Sequence, residues 1–350
     1  MTSPAWLVTG GSGFLGRLVL PALASRSPVL ALTRKPEMAE SIEGVVWIGG
    51  DLDDPAAWLT SLDQRPLAGI LHMGANVAHT RKGADAAVRA QVRAVADLAG
   101  RARARGIRFV FVSSSGTVGC SRDPFAAPDD DAPHAWECVR DWPYYRGKVE
   151  AEREALRLLG DRRGQLVMLR PPMLLGPGDT LGRSTSTLRR YLGGRLPFLI
   201  RGGIHVADVR DVAGAVVAAC TVADPAQAYN LPGHAEALQP FLQRCARLCG
   251  VPAPARHVPW LVAWLAAHVS ARVADRTGRH PWLPDPVVIE MGRHHWGLAG
   301  SRAPRDLGYH PRPVDETLAE TLDWLRRDMA LDAPGRIPDA STPTADRTTA

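Results

Sequence analysis

A tyrosine and a lysine stand four residues apart, as Tyr144 and Lys148, at the start of a segment whose pattern predicts a helix to about Leu159. Residues four apart project from the same face of a helix. A tyrosine, whose pKa is about 10, exchanges protons poorly at neutral pH unless a nearby positive charge stabilises its phenolate. The pair therefore predicts a general acid or base, Tyr144, whose pKa should be lowered in part by Lys148. Tyr145 has no lysine at the same spacing.

Three consecutive serines, Ser113 to Ser115, follow an apolar run that ends at Val112. A hydroxyl at the carboxyl end of a strand in a parallel sheet can hydrogen-bond a reacting carbonyl and stabilise the alkoxide that develops there. One serine of this run is thus expected to join the tyrosine and the lysine. Spacing alone leaves the choice among the three open.

The elements that must position these residues alternate along the first half of the chain. The predicted strands are Trp6–Thr9, Val29–Thr33, Val45–Ile48, Ile70–Met73, Ile107–Val112 and Leu166–Arg170. Apolar residues recur at helical spacing over Ala84–Arg105, and Gly106 is expected to end that helix. Strands that alternate with helices predict an α/β fold, a Rossmann-type doubly wound parallel sheet with helices on both faces.

The first predicted strand leads into a glycine-rich turn that opens onto a helix. Gly10 permits a tight turn, Gly13 lets a pyrophosphate approach the backbone, and Gly16 lets the helix pack closely on the strand. The helix N-terminus then offers N–H donors and a positive dipole end to the phosphates. This context predicts a dinucleotide-binding loop. Its residues are Thr9, Gly10, Gly11, Ser12, Gly13, Phe14, Leu15 and Gly16.

The end of the second strand distinguishes NAD from NADP, because NAD-binding chains place a carboxylate there for the ribose hydroxyls. Here the strand is followed by Arg34, with no carboxylate before Glu37. Arg34 can pair with a 2′-phosphate. NADP(H) is therefore the preferred cofactor and NAD(H) the alternative. Lys148 is expected to hold the nicotinamide ribose, and Asp51 can accept a hydrogen bond from the adenine. A bound nicotinium ring and Lys148 should together lower the pKa of Tyr144.

Composition excludes several other kinds of protein. Of the 350 residues, 45% are hydrophobic and 22% are charged, as in ordinary globular domains. The formal net charge is +6, but the arginines are scattered through helical patterns, which argues against a nucleic-acid partner. The five cysteines form no CxxC pair, so we expect reduced thiols, no metal site and a cytoplasmic location.

The segment Val258–Val269 is the most apolar helical stretch, yet it is too short to span a bilayer. No signal peptide precedes the first strand. A membrane partner is therefore not expected. The apolar side chains of this segment and of Met173–Leu175 are instead expected to line a substrate pocket suited to a hydrophobic ketone.

Proline and glycine cluster from Pro171 onward, where the α/β pattern loosens. The chain is expected to divide into a dinucleotide-binding domain, residues 1–170 plus about 204–231, and a smaller, mainly helical substrate-binding domain, residues 171–203 plus 232–330. The tail, residues 331–350, has few side chains to bury and is predicted to be disordered.

Jointly, these residues resemble the extended short-chain dehydrogenase/reductase family, also called the NAD-dependent epimerase/dehydratase family. The fingerprints are Thr9–Gly16, Asp51-Leu52, His72–Ala75, the serine run, Tyr144 with Lys148, Arg170–Pro172 with Gly176–Gly178, His205–Ala213, and Leu307–Pro311 followed by Trp324. The resemblance implies that the catalytic serine is Ser115. It also implies that further residues contact the cofactor, namely Leu52, Met73, Gly74, Ala75, Pro171 and Met173. Within the family, the chain is most similar to the branch of dihydroflavonol reductases and 3β-hydroxysteroid dehydrogenases.

Three departures from the family pattern are visible. The tyrosine that usually precedes a glycine after the serine run is lost, which leaves Val118-Gly119-Cys120. The family's usual asparagine after the fourth strand is replaced by Gln91, which keeps the amide but changes its reach. Residues 121–142 form an acidic, proline-bearing insertion that contains Asp129, Asp130 and Asp131. We expect the insertion to form a lid and its charge run to be a solvated loop.

Together, these features predict an NADP-dependent oxidoreductase. It would transfer hydride between the nicotinamide and a ketone or secondary alcohol of a hydrophobic small molecule. A nucleotide-sugar epimerase that retains NAD(P) is the alternative, and a nucleotide-sensing regulator is a third reading. Dehydration is disfavoured, because Gly116-Thr117-Val118 follows the serines and carries no carboxylate. The expected partner is a small-molecule substrate, and a homodimer is compatible with the resemblance.

Overall fold

The computed structural model describes residues 3–62, 65–74, 80–81 and 83–331. The strands are β1 (Ala5–Thr9), β2 (Val29–Thr33), β3 (Val45–Gly49), β4 (Leu67–His72), β5 (Arg108–Val112), β6 (Cys120–Ser121), β7 (Leu166–Arg170), β8 (Met173–Leu175), β9 (Gly203–Asp208), β10 (Ala228–Asn230), β11 (His234–Ala237) and β12 (His295–Trp296). Seven of them form a parallel sheet in the order β3-β2-β1-β4-β5-β7-β10. The order reverses between β1 and β4, where such sheets bind ligands.

Helices cover both faces of this sheet. They are α1 (Gly16–Ala24), α2 (Ala56–Leu59), α3 (Ala84–Arg105), α4 (Trp136–Val139), α5 (Pro143–Leu159), α6 (Ser186–Leu192), α7 (Val209–Thr221), α8 (Leu238–Cys249), α9 (Trp260–Thr277), α10 (Pro286–Met291), α11 (Arg302–Leu307) and α12 (Val314–Asp328). Strand side chains alternate between the faces. Val8 joins a core with Val19 of α1, whereas Leu7 joins a core with Val95 of α3 and Ala151 of α5. The predicted doubly wound fold is confirmed.

A second, three-stranded sheet has the order β11-β9-β8 and packs against α6, α8 and α12. Its core includes Leu175, Leu188 and Leu199. The division into two domains stays a prediction. The boundary predicted at about residue 204 falls at the start of β9. This strand pairs with β8 and β11 and so belongs to the small sheet.

Element bounds follow the sequence pattern closely where a helix has a clear stop signal. α3 has the predicted bounds, and Gly106 ends it with φ 64°. α9 continues to Thr277, well past the predicted Val269. Among the described residues, no helix combines the length and the apolarity that crossing a bilayer would need.

Candidate active site

The turn between β1 and α1 is so tight that two of its positions exclude a side chain. Gly10 has φ 78°, and a Cβ there would lie 2.6 Å from the Gly74 nitrogen. A Cβ on Gly16 would lie 2.4 Å from the carbonyl oxygens of Gly10 and Gly11. Because both side chains are absent, the start of α1 lies directly at the carboxyl ends of β1 and β4. This is the arrangement in which a helix N-terminus binds phosphate.

A cavity of about 420 Å³ opens between α3 and the residues that follow β3 and β4. His72 and Gln91 line it, and the Nε2 atom of each is buried without a hydrogen-bond partner among the described residues. The Thr9 hydroxyl lies 2.7 Å from the other ring nitrogen of His72. Burial, aided by the charge of Lys148, lowers the pKa of His72 to about 3, so the ring stays neutral. Two unsatisfied polar groups in one cavity indicate a polar ligand.

The tyrosine and the lysine lie on successive turns of α5, which begins with Pro143 at its first position. The buried Lys148 donates from Nζ to the carbonyl oxygen of Val112, at 2.8 Å, and lies 4.8 Å from the ring centroid of Phe111. Tyr144 is partly exposed. A hydrogen bond joins its hydroxyl to that of Ser114. The structure therefore brings the tyrosine, the lysine and the serine run together at the carboxyl end of β5.

The proton affinities of the pair differ from the sequence-based expectation. Burial raises the pKa of Tyr144 to about 12, although the hydrogen bond from Ser114 lowers it in part. Burial lowers the pKa of Lys148 to about 7, and the carboxylate of Glu152 partly opposes this. The protein's own groups raise the tyrosine pKa rather than lower it, because loss of solvation outweighs the hydrogen bond from Ser114. At neutral pH, Tyr144 is therefore a phenol that can donate a proton.

The three serines point to different partners. The Ser113 hydroxyl donates to Oε1 of Glu152 at 2.5 Å. Ser114 is the hydroxyl that contacts Tyr144. Ser115 opens a short 3₁₀ turn, and its N–H donates to the carbonyl oxygen of Pro171 at 2.8 Å. The assignment of Ser115 as the catalytic serine stays a prediction, and the contact with Tyr144 makes Ser114 its competitor.

We predict that Ser114→Ala lowers turnover by about 10- to 100-fold, since it removes one hydrogen bond to the reacting groups. Ser115→Ala, a matched control in the same run, should lower turnover less. Steady-state kinetics of both variants would decide between them. A larger loss in Ser115→Ala would restore the assignment that the family resemblance implies.

A buried carboxylate, Glu152, lies one turn beyond Lys148 on α5. It forms an ion pair with Arg170 at 2.7 Å and accepts hydrogen bonds from Ser113, from Thr117 at 2.9 Å and from His134 at 2.9 Å. Burial alone would raise its pKa, but these partners lower it to about 2. Glu152 thus ties the catalytic helix to the serine run, to β7 and to the insertion. We refer to this group as the Glu152 network.

The insertion, residues 121–142, is fixed more firmly than expected. Asp129 and Asp131 are exposed, as predicted for a solvated charge run. Asp130 is buried and accepts hydrogen bonds from the backbone N–H groups of Asn230, at 2.7 Å, and Ser301, at 3.1 Å. The prediction of a solvated loop is therefore wrong for Asp130, because backbone donors replace its water.

A second cavity, of about 210 Å³, lies beside the start of α5. Trp142, Trp260 and Trp264 line it together with Glu290 and other polar groups. The ring of Trp142 packs edge-on against that of Tyr145, whose ring contacts Tyr144 in turn. Aromatic contacts thus join the wall of this cavity to Tyr144. The segment Met173–Leu175 mostly packs within the small sheet's core.

The remaining residues with predicted cofactor contacts surround the turn after β1. Arg34 directly follows β2 and is exposed. The Asp51 carboxylate accepts a hydrogen bond from the Asp53 N–H at 3.0 Å. Leu52 and Gly74 line the larger cavity. The others have these positions: Met73 donates from its N–H to Thr9, Pro171 follows β7, Met173 opens β8, and Ala75 lies outside the described residues.

A model of the NAD dependent epimerase/dehydratase family matches residues 6–231, which is more than half of the chain. The chain belongs to this family. The predicted resemblance is thereby confirmed, and with it an NAD(P)-dependent oxidoreductase of the extended short-chain dehydrogenase/reductase type.

Several proteins similar in sequence to this chain are reductases by name. A Synechocystis protein named as a dihydroflavonol 4-reductase is 27% identical, over 92% of this chain and 94% of its own. The 2-alkyl-3-oxoalkanoate reductase of Stenotrophomonas maltophilia is 27% identical, over 87% and 94%. The 4-hydroxy-2-methyl-3-oxo-4-farnesyl-3,4-dihydroquinoline-1-oxide ketoreductase of Stigmatella aurantiaca is 28% identical, over 91% and 95%.

Solved structures share the fold at lower identity. The crystal structure of gox2253 superposes with a TM-score of 0.74 at 24% identity, over 92% of this chain and 98% of that one. The Thermus thermophilus UDP-glucose 4-epimerase in complex with NAD gives a TM-score of 0.67 at 19% identity, over 92% and 99%. Similarity at this level establishes the epimerase/dehydratase fold of this chain.

The residues present fit the dinucleotide that the epimerase/dehydratase family uses. Side chains are excluded at Gly10 and Gly16, where the backbone must stay open. The unsatisfied Nε2 atoms of His72 and Gln91 supply polar groups in the adjoining cavity. The chain therefore has a preformed cradle and unused hydrogen-bonding capacity on the same side of the sheet.

Several functional residues escaped the sequence reasoning. Glu152 follows Lys148 by four residues and Tyr144 by eight, a spacing that repeats along one helical face and could have revealed it. His72 and Arg170 lie within family fingerprints, but neither had been given a role of its own. Nothing in the sequence marks His134 as a partner of Glu152.

Proposed function

We propose that the protein is an NADP(H)-dependent ketoreductase of lipophilic small molecules, with Tyr144 as its acid/base group. The observation that carries this proposal is the cluster of Tyr144, Ser114 and Lys148 at the carboxyl end of β5, one strand from the β1–β4 switch point. Bound NADPH supplies the hydride for such a reduction.

The chain's own residues provide the proton and the orientation. Tyr144 donates its phenolic proton to the carbonyl oxygen of the ketone, which becomes the hydroxyl of the product. Its pKa of about 12 keeps that proton available at neutral pH. Ser114 holds the Tyr144 hydroxyl in place, and its single hydroxyl proton can turn to the same carbonyl oxygen when a ketone binds. Lys148 places a positive charge near the phenolate that forms, and the Val112 carbonyl fixes its Nζ at 2.8 Å.

Cofactor preference rests on Arg34. It is exposed directly after β2, the position at which a 2′-phosphate would lie in this fold. We predict that Arg34→Ala weakens NADP binding by about 10- to 100-fold, because a bidentate charged contact is lost. Affinity for NAD should change little. Titration of both cofactors into both proteins measures this, and tighter binding of NAD than of NADP by the wild type would contradict the preference.

The substrate class is supported by the second cavity and by the relatives. Three tryptophans line that cavity, and aromatic contacts join its wall to Tyr144. Two of the relatives act on ketones that carry alkyl or farnesyl groups, as their names state. The cavity is also lined by charged or titratable side chains, namely Arg122, Glu137, Asp141, Glu290, Arg293 and His294. Its tryptophans suit the apolar part of such a molecule, and the preference over a nucleotide sugar rests on the names of the relatives.

A panel of substrates tests the proposal. NADPH oxidation should be stimulated by hydrophobic ketones, among them 2-alkyl-3-oxo acids and aryl ketones. It should not be stimulated by UDP- or dTDP-sugars. Tyr144→Phe serves as the control for contaminating reductases. If the protein converted only the nucleotide sugars, the epimerase alternative would replace this function. If it bound NADPH but converted neither set of substrates, a regulatory role would be favoured.

A further inference from the structure

Helix α9 exposes an unusually apolar face to solvent. Side chains one turn apart along this face, from Leu261 through Leu265 and Val269 to Val273, are each between 39% and 53% exposed. Val262, beside them, is 54% exposed. A contiguous apolar surface of this kind is uncommon on a protein whose surface meets only water, and it marks an interaction site.

The opposite side of α9 is anchored in the protein, so the exposed face is not a product of poor packing. Ala263 and Ala267 are buried in a core with Leu283 and Ile289. The Ser270 hydroxyl accepts a hydrogen bond from the Leu283 N–H at 3.1 Å. The helix is therefore held in a fixed orientation with its large aliphatic side chains directed outward.

Charge around this face is positive. Residues 255–282 contain four arginines and one aspartate, a formal charge of +3. Arg272 and Arg276 lie on the last turns of the exposed side, and Arg279 follows the helix. Exposed tryptophans stand at the two ends, Trp260 at the first residue of α9 and Trp282 beyond its last. Aliphatic side chains flanked by arginine and tryptophan are typical of helices that lie in the headgroup region of a bilayer.

A second copy of the chain would fit this face less well. Paired parallel, two α9 helices would place Arg272 and Arg276 against the same arginines of the other copy. If the two helices paired antiparallel, those guanidinium groups would lie against Leu261 and Leu265 of the other copy. They would lose their hydration without gaining a hydrogen-bond partner, which is unfavourable. An anionic lipid surface instead offers phosphates to the arginines and acyl chains to the aliphatic residues.

The sequence predicts no membrane partner, because its most apolar helical segment is too short to span a bilayer. From the exposed face of α9 we propose instead that this helix docks the protein reversibly on anionic membrane surfaces, without crossing them. The surface is formed by Leu261, Val262, Leu265, Val269 and Val273, with the arginines at its carboxyl end; we call it the α9 surface. The inner side of the same helix carries Trp264, which lines the cavity beside Trp142. A lipophilic ketone dissolved in the bilayer would thus be collected next to this cavity, where the ring of Trp142 packs on Tyr145, the neighbour of Tyr144. The role given to docking, access to a lipophilic substrate, rests on the proposed function. The docking itself does not depend on it.

Vesicle binding tests the docking. The full-length protein is mixed with vesicles of phosphatidylcholine alone, or with one-third phosphatidylglycerol, and separated by flotation. Binding to the anionic vesicles should exceed binding to the neutral ones, and should fall as salt is raised. Val269→Glu should reduce the partition coefficient at least about tenfold, since it removes an apolar contact and adds a like charge. Arg272→Gln with Arg276→Gln should reduce it on anionic vesicles only.

Val46→Glu is the matched control, because Val46 is a valine of similar exposure, 55%, on the edge strand of the large sheet. It should bind vesicles as the wild type does. Equal binding of Val269→Glu and the wild type would overturn the proposal, as would the absence of binding to anionic vesicles. Concentration-dependent dimers that Val269→Glu dissociates would assign the α9 surface to a second copy instead. Reduction of a short, water-soluble ketone without vesicles reports separately on the proposed function.

Discussion

Replacement of Tyr144 by phenylalanine is expected to lower turnover by about 10²- to 10⁴-fold while the fold stays intact. The variant keeps the ring and its edge-on contact with Tyr145, whose ring centroid lies 5.0 Å away. It removes only the hydroxyl that Ser114 contacts. The loss should fall on the turnover number rather than on cofactor affinity. Steady-state kinetics together with an NADPH titration separates the two.

Tyr145→Phe is the control for this experiment. Tyr145 is packed between Trp142 and Trp296, with ring centroids 6.3 Å and 5.2 Å away, and burial raises the pKa of its phenol above the ordinary value. Such a hydroxyl serves packing, so its removal should change turnover by much less. If Tyr145→Phe were the inactive variant and Tyr144→Phe the active one, the assignment of the acid/base pair would be refuted.

Replacement of Glu152 by glutamine is expected to lower the free energy of unfolding by about 3–5 kcal/mol, since it leaves the buried Arg170 without its counter-ion. The carboxylate has 0% side-chain exposure and forms the centre of the Glu152 network. Denaturant unfolding at pH 7 measures the loss. Glu154→Gln, two residues along the same helix, removes an exposed pair with Arg157 and should change the stability little.

The contribution of Glu152 should also depend on pH in a defined direction. Its pKa in the folded protein is about 2, below the ordinary value of 4.5. The folded state therefore binds fewer protons, and the stabilisation is complete above about pH 4.5 and is lost as the pH falls towards 2. The stability difference between the wild type and Glu152→Gln should narrow over this range. If the difference in unfolding free energy between the two proteins stayed constant from pH 7 to pH 3, the ion pair of Glu152 with Arg170 would not be the cause of the stability loss.

Much of the fold could be predicted because local signals agree with the tertiary structure. The limits of α3 follow from its apolar periodicity and from Gly106, which adopts the left-handed conformation that a helix stop requires. The turn at Gly10 and Gly16 was recognisable because close approach of two backbones restricts both positions to glycine. The helical periodicity and the glycine spacing are local in sequence, so a single chain displays them directly, even though the contact that restricts Gly10 is with the distant Gly74.

The site was harder to predict where contacts join distant segments. The partner of Tyr144 depends on the 3₁₀ turn that follows β5, which decides which of the three serines reaches the Tyr144 hydroxyl. The rise in the tyrosine pKa could not be predicted, because spacing reveals the nearby lysine but not the burial. Asp130 looked like part of a solvated run, since its three backbone donors come from residues 100 or more positions away.

The core on the α1 side of the large sheet bears on how this chain can be synthesised. It contains Trp6 of the first strand and Tyr309 near the end of the described residues, and β10 of the large sheet follows β8 and β9 of the small sheet along the chain. Tyr309 packs in this core, and its hydroxyl donates a hydrogen bond to the Pro232 carbonyl oxygen at 2.9 Å. A nascent chain halted at residue 231 would thus carry an unfinished nucleotide-binding half with exposed aliphatic surface. Ribosome-bound intermediates of that length should need a chaperone until Tyr309 has been synthesised and has left the ribosome.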